Sequence, residues 1–290
     1  MEKTLHFKDS DASELEPFLP TETLLQASAA QGRPFVTLTF ATSLDSSLSL
    51  APGTRTRLSG PESKAMTHHL RSRHDAICIG VGTAVADDPG LNCRIEGVGL
   101  DRQPRPVVID PRGRWDLTAR SKVLEVARAG LGLAPFMVTA HGGDVNPELR
   151  TLLEEHGGKV IEVDTSPGGG GDGGDGGGPG DDGSHPGNHI RWGDILAALL
   201  REGLRSVMIE GGGRVINSLL APACHDLVDS VIVTIAPTWL GQGSVNVSPD
   251  RVHDERGDPV PPARLSSVSW HPFGEDAVLC GRLGHNPGNP

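Results

Sequence analysis

Gly82-Thr83-Ala84-Val85-Ala86-Asp87-Asp88-Pro89-Gly90-Leu91-Asn92-Cys93-Arg94 brings a hydroxyl, two adjacent carboxylates, a proline and an arginine into one short stretch. Directly before it, Ala76-Ile77-Cys78-Ile79-Gly80 has the length and apolar composition of a buried strand. A strand that opens into a Gly/Thr/Asp loop is how open α/β sheets place ligands, outside the carboxyl ends of the strands. Such a loop offers backbone N–H groups and the Thr83 hydroxyl to a phosphate, Asp87 to a sugar hydroxyl, and Arg94 to a second anion. The competing reading is a solvent-exposed turn in which Asp87-Asp88-Pro89 does no more than stop a helix.

Working outward, residues 34–41 alternate apolar and hydroxyl side chains and predict a first strand. Ser59-Gly60-Pro61-Glu62 has the residues of a capping box, with Ser59 as N-cap, and predicts a helix to about Arg73. Apolar runs at 105–111, 135–140 and 159–163 predict further strands, with a helix over 147–156 ended by Gly157-Gly158. A helix over 193–202 and a strand over 229–236 continue the alternation, and 264–271 with 276–284 predict a closing antiparallel pair. The expected fold class is α/β: a mostly parallel central sheet, helices on both faces, and a C-terminal antiparallel strand pair.

Residues 206–220 are the second informative segment. An apolar strand delivers Glu210 at its end, Gly211, Gly212 and Gly213 make the turn, and a helix is expected from about Arg214 through Val215 and Ile216. Glycines let a backbone approach a ligand, and the following amides suit a phosphate. The spacing is not G-x-G-x-x-G, so a plain tight turn stays open as the other reading.

Composition narrows the function classes. The net charge is −11 and aromatics make up 3% with no tyrosine, which argues against a nucleic-acid partner. Arg55, Arg57, Lys64, Arg71, Arg73 and Arg94 nonetheless fall close together in sequence, as a small anionic ligand would require. No apolar run is long enough for a membrane span, and no signal pattern is visible at the N-terminus, so a cytoplasmic protein is expected. Cys78, Cys93, Cys224 and Cys280 never pair as C-x-x-C and are expected to be reduced thiols. His68 and His69 diverge on a helix and cannot chelate together, and no metal is expected.

The expected organisation is an N-terminal arm at 1–32, one domain over 33–285, and a tail at 286–290. Residues 165–188 are almost entirely Gly, Asp and Pro and are expected to be a disordered insert within that domain.

Four segments together resemble one family: Thr42-Ser43-Leu44-Asp45, residues 80–94, Ile209-Glu210-Gly211-Gly212-Gly213, and 229–241. They are similar to the stand-alone fungal and archaeal reductases of riboflavin biosynthesis that act on 2,5-diamino-6-ribosylamino-4(3H)-pyrimidinone 5′-phosphate. The same domain is the C-terminal half of bacterial bifunctional deaminase-reductases. The resemblance implies a dihydrofolate-reductase-like fold, NADPH (or NADH) as hydride donor and a homodimer. It implies cofactor contacts at Thr83, Asp87, Ile161, Gly211, Gly212, Gly213, Arg214, Val215 and Ile216. It implies substrate contacts at Arg71, Leu91, Arg94 and Glu210. Glu210 and Asp87 are the candidates for the acid of the reaction. One departure stands out: the family usually carries Lys or Arg at the position of Ser47. That departure keeps a non-catalytic NADP-binding protein of the same fold as the alternative.

Overall fold

The computed structural model describes residues 3–165, 190–260, 262 and 264–283. The expected insert, from residue 166 on, and the expected tail lie outside the described residues. Two short helices come first, α1 (Asp9–Leu15) and α2 (Glu22–Ala30), followed by β1 (Phe35–Thr42) and β2 (Ser47–Ser49). Next are α3 (Pro61–Arg71), β3 (Ala76–Gly80), α4 (Val81–Asp87), β4 (Arg105–Ile109) and α5 (Lys122–Arg128). Then come β5 (Phe136–Ala140), α6 (Pro147–Glu155), β6 (Lys159–Val163), α7 (Trp192–Arg201), β7 (Ser206–Ile209) and α8 (Gly213–Leu219). The chain closes with β8 (Ser230–Ile235), β9 (Val245–Asn246), β10 (Ser266–Phe273) and β11 (Asp276–Arg282).

Nine strands form one sheet in the order β10-β11-β8-β1-β7-β3-β4-β5-β6. From β8 to β6 every neighbouring pair is parallel, while β11 runs antiparallel to β8 and β10 antiparallel to β11. β7 comes late in the sequence yet inserts between β1 and β3. That crossover sets the carboxyl ends of β3 and β7 side by side, and Glu210 N–H continues the ladder to Cys78 O at 2.9 Å. The two segments singled out in the sequence, more than a hundred residues apart, therefore meet at one sheet edge.

Side-chain alternation along the central strands divides the core. In β3, Ala76 and Cys78 point to the face covered by α7 and α8, where Leu196, Leu199 and Ile216 are fully buried. Ile77 and Ile79 point to the opposite face, against α5 and α6. Further along that side, Met66 and Leu70 of α3 pack with Met208, Ile232 and Val278. Helices on both faces follow from strands that are apolar on both sides. Leu15, Phe18 and Leu19, from the expected N-terminal arm, are buried in this same α3 cluster.

Three local expectations need correction. Ser59 does not cap α3: the N-cap is Gly60, with no side-chain cap, and its N–H donates to Asp276 Oδ2 at 2.8 Å. Glu62 faces the β10–β11 turn, close to where a Cβ on Gly274 would lie. Residues 81–87 are a helix, not a loop, and Asp88 ends it in the left-handed region at φ 40°. Helix α5 and the small antiparallel pair of β2 with β9 were not expected, since neither carries a long apolar period.

Candidate functional site

The carboxyl ends of β1, β3 and β7 open into a cleft of about 650 Å³, within the range that holds a drug-sized or larger ligand. Thr83 and Asp87 line it from α4, Glu210 from the end of β7, and Gly211 through Val215 from the turn and first residues of α8. These are the residues of the two sequence segments, brought together as expected.

Two glycines shape the turn. Gly211 has φ +146°, a conformation that side chains rarely adopt, and a Cβ on Gly213 would fall 2.8 Å from Val245 Cγ1. Gly212, the N-cap of α8, has no side chain to cap the helix, and its own N–H donates to Thr83 Oγ1 at 3.1 Å. Thr83 thus ties α4 to the glycine turn while keeping its own hydroxyl proton to donate. The paired carboxylates separate in role. Asp87 faces the cleft, whereas both oxygens of Asp88 accept the Lys122 N–H at the start of α5, at 3.0 and 3.2 Å.

Glu210 is held by Arg71, whose Nη2 lies 3.0 and 3.3 Å from its two oxygens. Both side chains are largely covered, at 14% and 20% exposure, so the pair is better shielded from water than an open surface bridge. Arg71 Nη1 also donates to Asn92 O at 3.1 Å, which fixes the segment leading to Arg94. Arg71 and Arg94 do not line the cleft themselves; Arg71 reaches it through Glu210.

Other expected positions fall elsewhere. Ile161 is buried in β6 against α7, near the edge of the sheet, and is not a cleft residue. Ile216 is fully buried on the inner face of α8. Leu91 is in the core at 4% exposure and adopts φ +55°, so it shapes the backbone ahead of Arg94 rather than lining the cleft. The basic neighbourhood also divides: Arg55 lines the cleft, Arg73 pairs with Glu16, and Arg94 meets His68.

The sequence reading missed Thr39 and Phe40 at the end of β1, Arg114 after β4, and Val245. Parallel strands share one carboxyl edge, so the ends of β1 and β4 were the available signal for the first three. Val245 had none, because it arrives on a long connection.

That connection explains Ser47. Ser47 is 1% exposed, and its Oγ lies 2.6 Å from Ser244 Oγ and 2.8 Å from Asn246 Oδ1. Asp45 accepts from Leu240 N at 3.1 Å and Gly241 N at 2.8 Å, and from the Ser43 hydroxyl. The Ser43 hydroxyl and these two amides draw its pKa down to about 2. Residues 45 and 47 together fasten the 240–246 segment, with Val245 forming part of the cleft wall. The hydroxyl at position 47 is engaged there and not in the cleft.

A mainly parallel sheet with a glycine turn, an uncapped helix start and nearby arginines at one carboxyl edge defines an α/β protein with a ligand-sized cleft at that edge. Comparison with known proteins narrows the class. Residues 34–279 match the model of the RibD C-terminal domain, and the chain belongs to that family. It is 37% identical over 278 residues to the 2,5-diamino-6-ribosylamino-4(3H)-pyrimidinone 5′-phosphate reductase of Candida glabrata, covering 93% of this chain and 97% of that protein. The enzyme of the same name from Saccharomyces cerevisiae is 36% identical, covering 86% and 87%. Among solved structures, the Saccharomyces cerevisiae riboflavin biosynthesis reductase Rib7 superposes with a TM-score of 0.66 at 32% identity, covering 94% of this chain and 98% of that one. Acinetobacter baumannii RibD shares the fold, with a TM-score of 0.64 at 22% identity over 91% of this chain and 62% of its own.

Proposed function

We propose that this chain reduces the ribosylamino side chain of 2,5-diamino-6-ribosylamino-4(3H)-pyrimidinone 5′-phosphate to the ribitylamino form, using NADPH. The observation that carries the reading is the convergence of Thr83, Asp87, Glu210 and the Gly211–Gly213 turn on one cleft, in a chain of this family. The cleft residues fit a dinucleotide. Gly211 occupies a backbone region that side chains rarely adopt, and a Cβ on Gly212 would make a tight contact, 3.3 Å, with Thr83 Oγ1, so glycine suits a turn whose backbone faces the cleft.

NADPH, when bound, supplies the hydride. The chain's own residues bind, orient and shield. The Gly211–Val215 backbone would hold the pyrophosphate, with the Thr83 hydroxyl donating to it and Asp87 accepting from a ribose hydroxyl. Arg71 would position the substrate side of the cleft through its hold on Glu210 and on the segment that leads to Arg94, and Arg55 and Arg114, which line the cleft, are cations within it open to the substrate phosphate. Glu210, oriented by Arg71, is placed to accept from a substrate hydroxyl; Glu210 and Asp87 remain the candidate acids. Phe40, Leu48 and Val245 supply the apolar wall that excludes water.

The proposal includes a homodimer, for which the sheet edge at β10, with Val268 at 46% and Trp270 at 59% exposure, offers an apolar surface. It also includes a cytoplasmic location, supported by four unpaired cysteines. Among the described residues no helix is long and apolar enough to cross a membrane.

The test is nicotinamide oxidation, followed by absorbance, with the phosphorylated ribosylaminopyrimidine against dihydrofolate as control, in NADPH and in NADH. Turnover confined to the pyrimidine with NADPH supports the proposal. Binding of NADPH without turnover of the pyrimidine would overturn it.

A further inference from the structure

Three arginines line the cleft, Arg55, Arg114 and Arg214, and the strand order spreads them along it. Arg214 directly follows the glycine turn after β7, in the middle. Arg55 comes from the loop after β2, which a tight turn (Ser43 N–H to Ser47 O, 2.9 Å) holds against the end of β1. Arg114 comes from the loop after β4. In the sheet, β7 and β3 lie between β1 and β4, so the ends of β1 and β4 are three strand spacings apart, about 14 Å. Arg55 and Arg114 therefore enter the cleft from opposite ends.

The two ends differ in chemistry. Phe40, Leu48 and Val245, from β1, β2 and β9, make the wall apolar on the side of Arg55. Hydride transfer needs such a water-excluding surface, which sets the reacting rings of cofactor and substrate there. The other end is polar, with Thr83 and Asp87 of α4 on the cleft wall beside β4. With the pyrophosphate at the glycine turn, the adenosine half of a dinucleotide extends that way. In nucleotide sites a carboxylate suits the free ribose 2′-hydroxyl, whereas an arginine nearby accommodates a 2′-phosphate.

Both arginines stand exposed on loops whose backbones are fixed. Asp110 is fully buried at the end of β4, and its Oδ2 accepts the Trp115 N–H at 2.7 Å. Gly113, at φ +68°, is packed so closely that a Cβ would fall 2.5 Å from Asp144 O. Arg114 is thus carried between two anchored neighbours. On the other loop, Thr54 N–H donates to Ala51 O at 3.1 Å and Leu50 N–H to Thr56 Oγ1 at 3.0 Å, closing a turn with Arg55 at the cleft. Ser47, at the start of the same hairpin, brings no charge to this end, so Arg55 supplies it.

We propose that the cleft separates its phosphates by end: Arg55 takes the phosphomonoester of the substrate, and Arg114 takes the 2′-phosphate by which NADPH differs from NADH. Arg114 thereby sets the cofactor preference. The proposal rests on the reading of a phosphorylated substrate and a nicotinamide dinucleotide, and adds which cation serves which.

Two substitutions, Arg55→Met and Arg114→Met, test the division, each keeping aliphatic bulk and removing the charge. A hydrogen bond to a charged group corresponds to about tenfold or more in affinity. By calorimetry, Arg114→Met should lose about that factor for NADPH and for adenosine 2′,5′-bisphosphate, and nothing for NADH or adenosine 5′-monophosphate. Arg55→Met should lose a similar factor for the phosphorylated pyrimidine, and nothing for its dephosphorylated analogue or for NADPH. Equal losses of NADPH and NADH in Arg114→Met would overturn the proposal, as would weaker binding of the phosphorylated pyrimidine in that variant. Unchanged affinity for the phosphorylated pyrimidine in Arg55→Met would overturn it too. A protein that binds both ligands without turnover would sink the reductase reading, while the calorimetry still decides the roles of the two arginines.

Discussion

Thr83 Oγ1 accepts the Gly212 N–H at 3.1 Å, and this bond joins the two halves of the cleft just beyond the backbone ladder of the β3–β7 pair. It links a helix that follows β3 to a turn that follows β7, so the relative placement of Asp87 and the glycine turn depends on it. Thr83→Val keeps the shape of the side chain and removes the acceptor. Gly212 is exposed, so water takes the vacated place and the loss is that of an ordinary hydrogen bond, about 0.5–1.5 kcal/mol. NADPH affinity, measured by calorimetry, should fall about tenfold, with a smaller drop in melting temperature. Affinity equal to that of the unaltered protein would remove Thr83 from the site.

A second relationship concerns packing. A Cβ on Gly213 would fall 2.8 Å from Val245 Cγ1, closer than two carbons approach without displacement. Gly213→Ala must therefore displace the Val245 side chain or the segment that carries it, which Asp45 and Ser47 fasten. Overpacking of this kind costs about 1–3 kcal/mol. Adding Val245→Ala should return most of the lost stability and cofactor affinity, because the clash is a pairwise effect. A double variant no better than Gly213→Ala alone would show that position 213 needs glycine for ligand approach and not for the fit against Val245.

These two contacts also show where the sequence was legible. Most strands of the parallel sheet were readable from apolar runs, because both of their faces are buried, while β1 was readable from its alternation of apolar and hydroxyl side chains, the hydroxyls of Thr37 and Thr39 being buried as well. Thr83, Asp87, Glu210 and the glycines were readable because each follows such a strand at its carboxyl end. What escaped was set by long-range pairing. Ser59 looked like an N-cap, but Asp276 of β11 takes the Gly60 N–H that starts the helix. Ile161 matched a family position, yet the order of strands puts β6 at the edge of the sheet, well away from β3 and β7. Val245 is part of the wall only because Asp45 and Ser47 capture its connection, and nothing local announces that.

The Arg71–Glu210 pair gives a prediction on the substrate side. At 14% and 20% exposure, removing either charge leaves the other poorly solvated and is more damaging than loss of a surface bridge. Arg71→Met keeps the aliphatic bulk but strands the Glu210 carboxylate and frees the 92–94 segment. It should raise KM for the phosphorylated substrate by tenfold or more, roughly one charge-assisted contact. Glu210→Gln keeps the size and one acceptor, so it should cost less stability than Arg71→Met in denaturant titrations. A normal substrate KM in Arg71→Met would show that the pair serves the fold alone.

Acid should unfold this protein early, because three histidines are buried in neutral form. Burial first, then neighbouring cations, pushes the pKa of His68 down to about 2 and that of His69 down to about 4. Burial likewise brings His74 to about 4, although its Nδ1 meets Leu70 O at 2.7 Å and its Nε2 meets Thr37 Oγ1 at 2.8 Å. In the unfolded chain each ring would titrate near 6.5. A folded-state pKa below the unfolded one means that the unfolded state binds protons first as pH falls. The stabilisation is complete above about pH 6.5 and is lost from there down through the folded-state values. Each group contributes a slope of about 1.4 kcal/mol per pH unit, so the three together give about 4 kcal/mol per unit between about pH 6.5 and about pH 4. A domain whose stability is about 5–10 kcal/mol, the lower part of the ordinary range, would then unfold between about pH 5.3 and about pH 4. His74→Gln keeps a donor and an acceptor but cannot be protonated. It should lower stability at neutral pH and flatten this limb by about one third. Denaturant midpoints measured across the range check both. A flat acid limb in the unaltered protein would mean that these rings are protonated in the folded state.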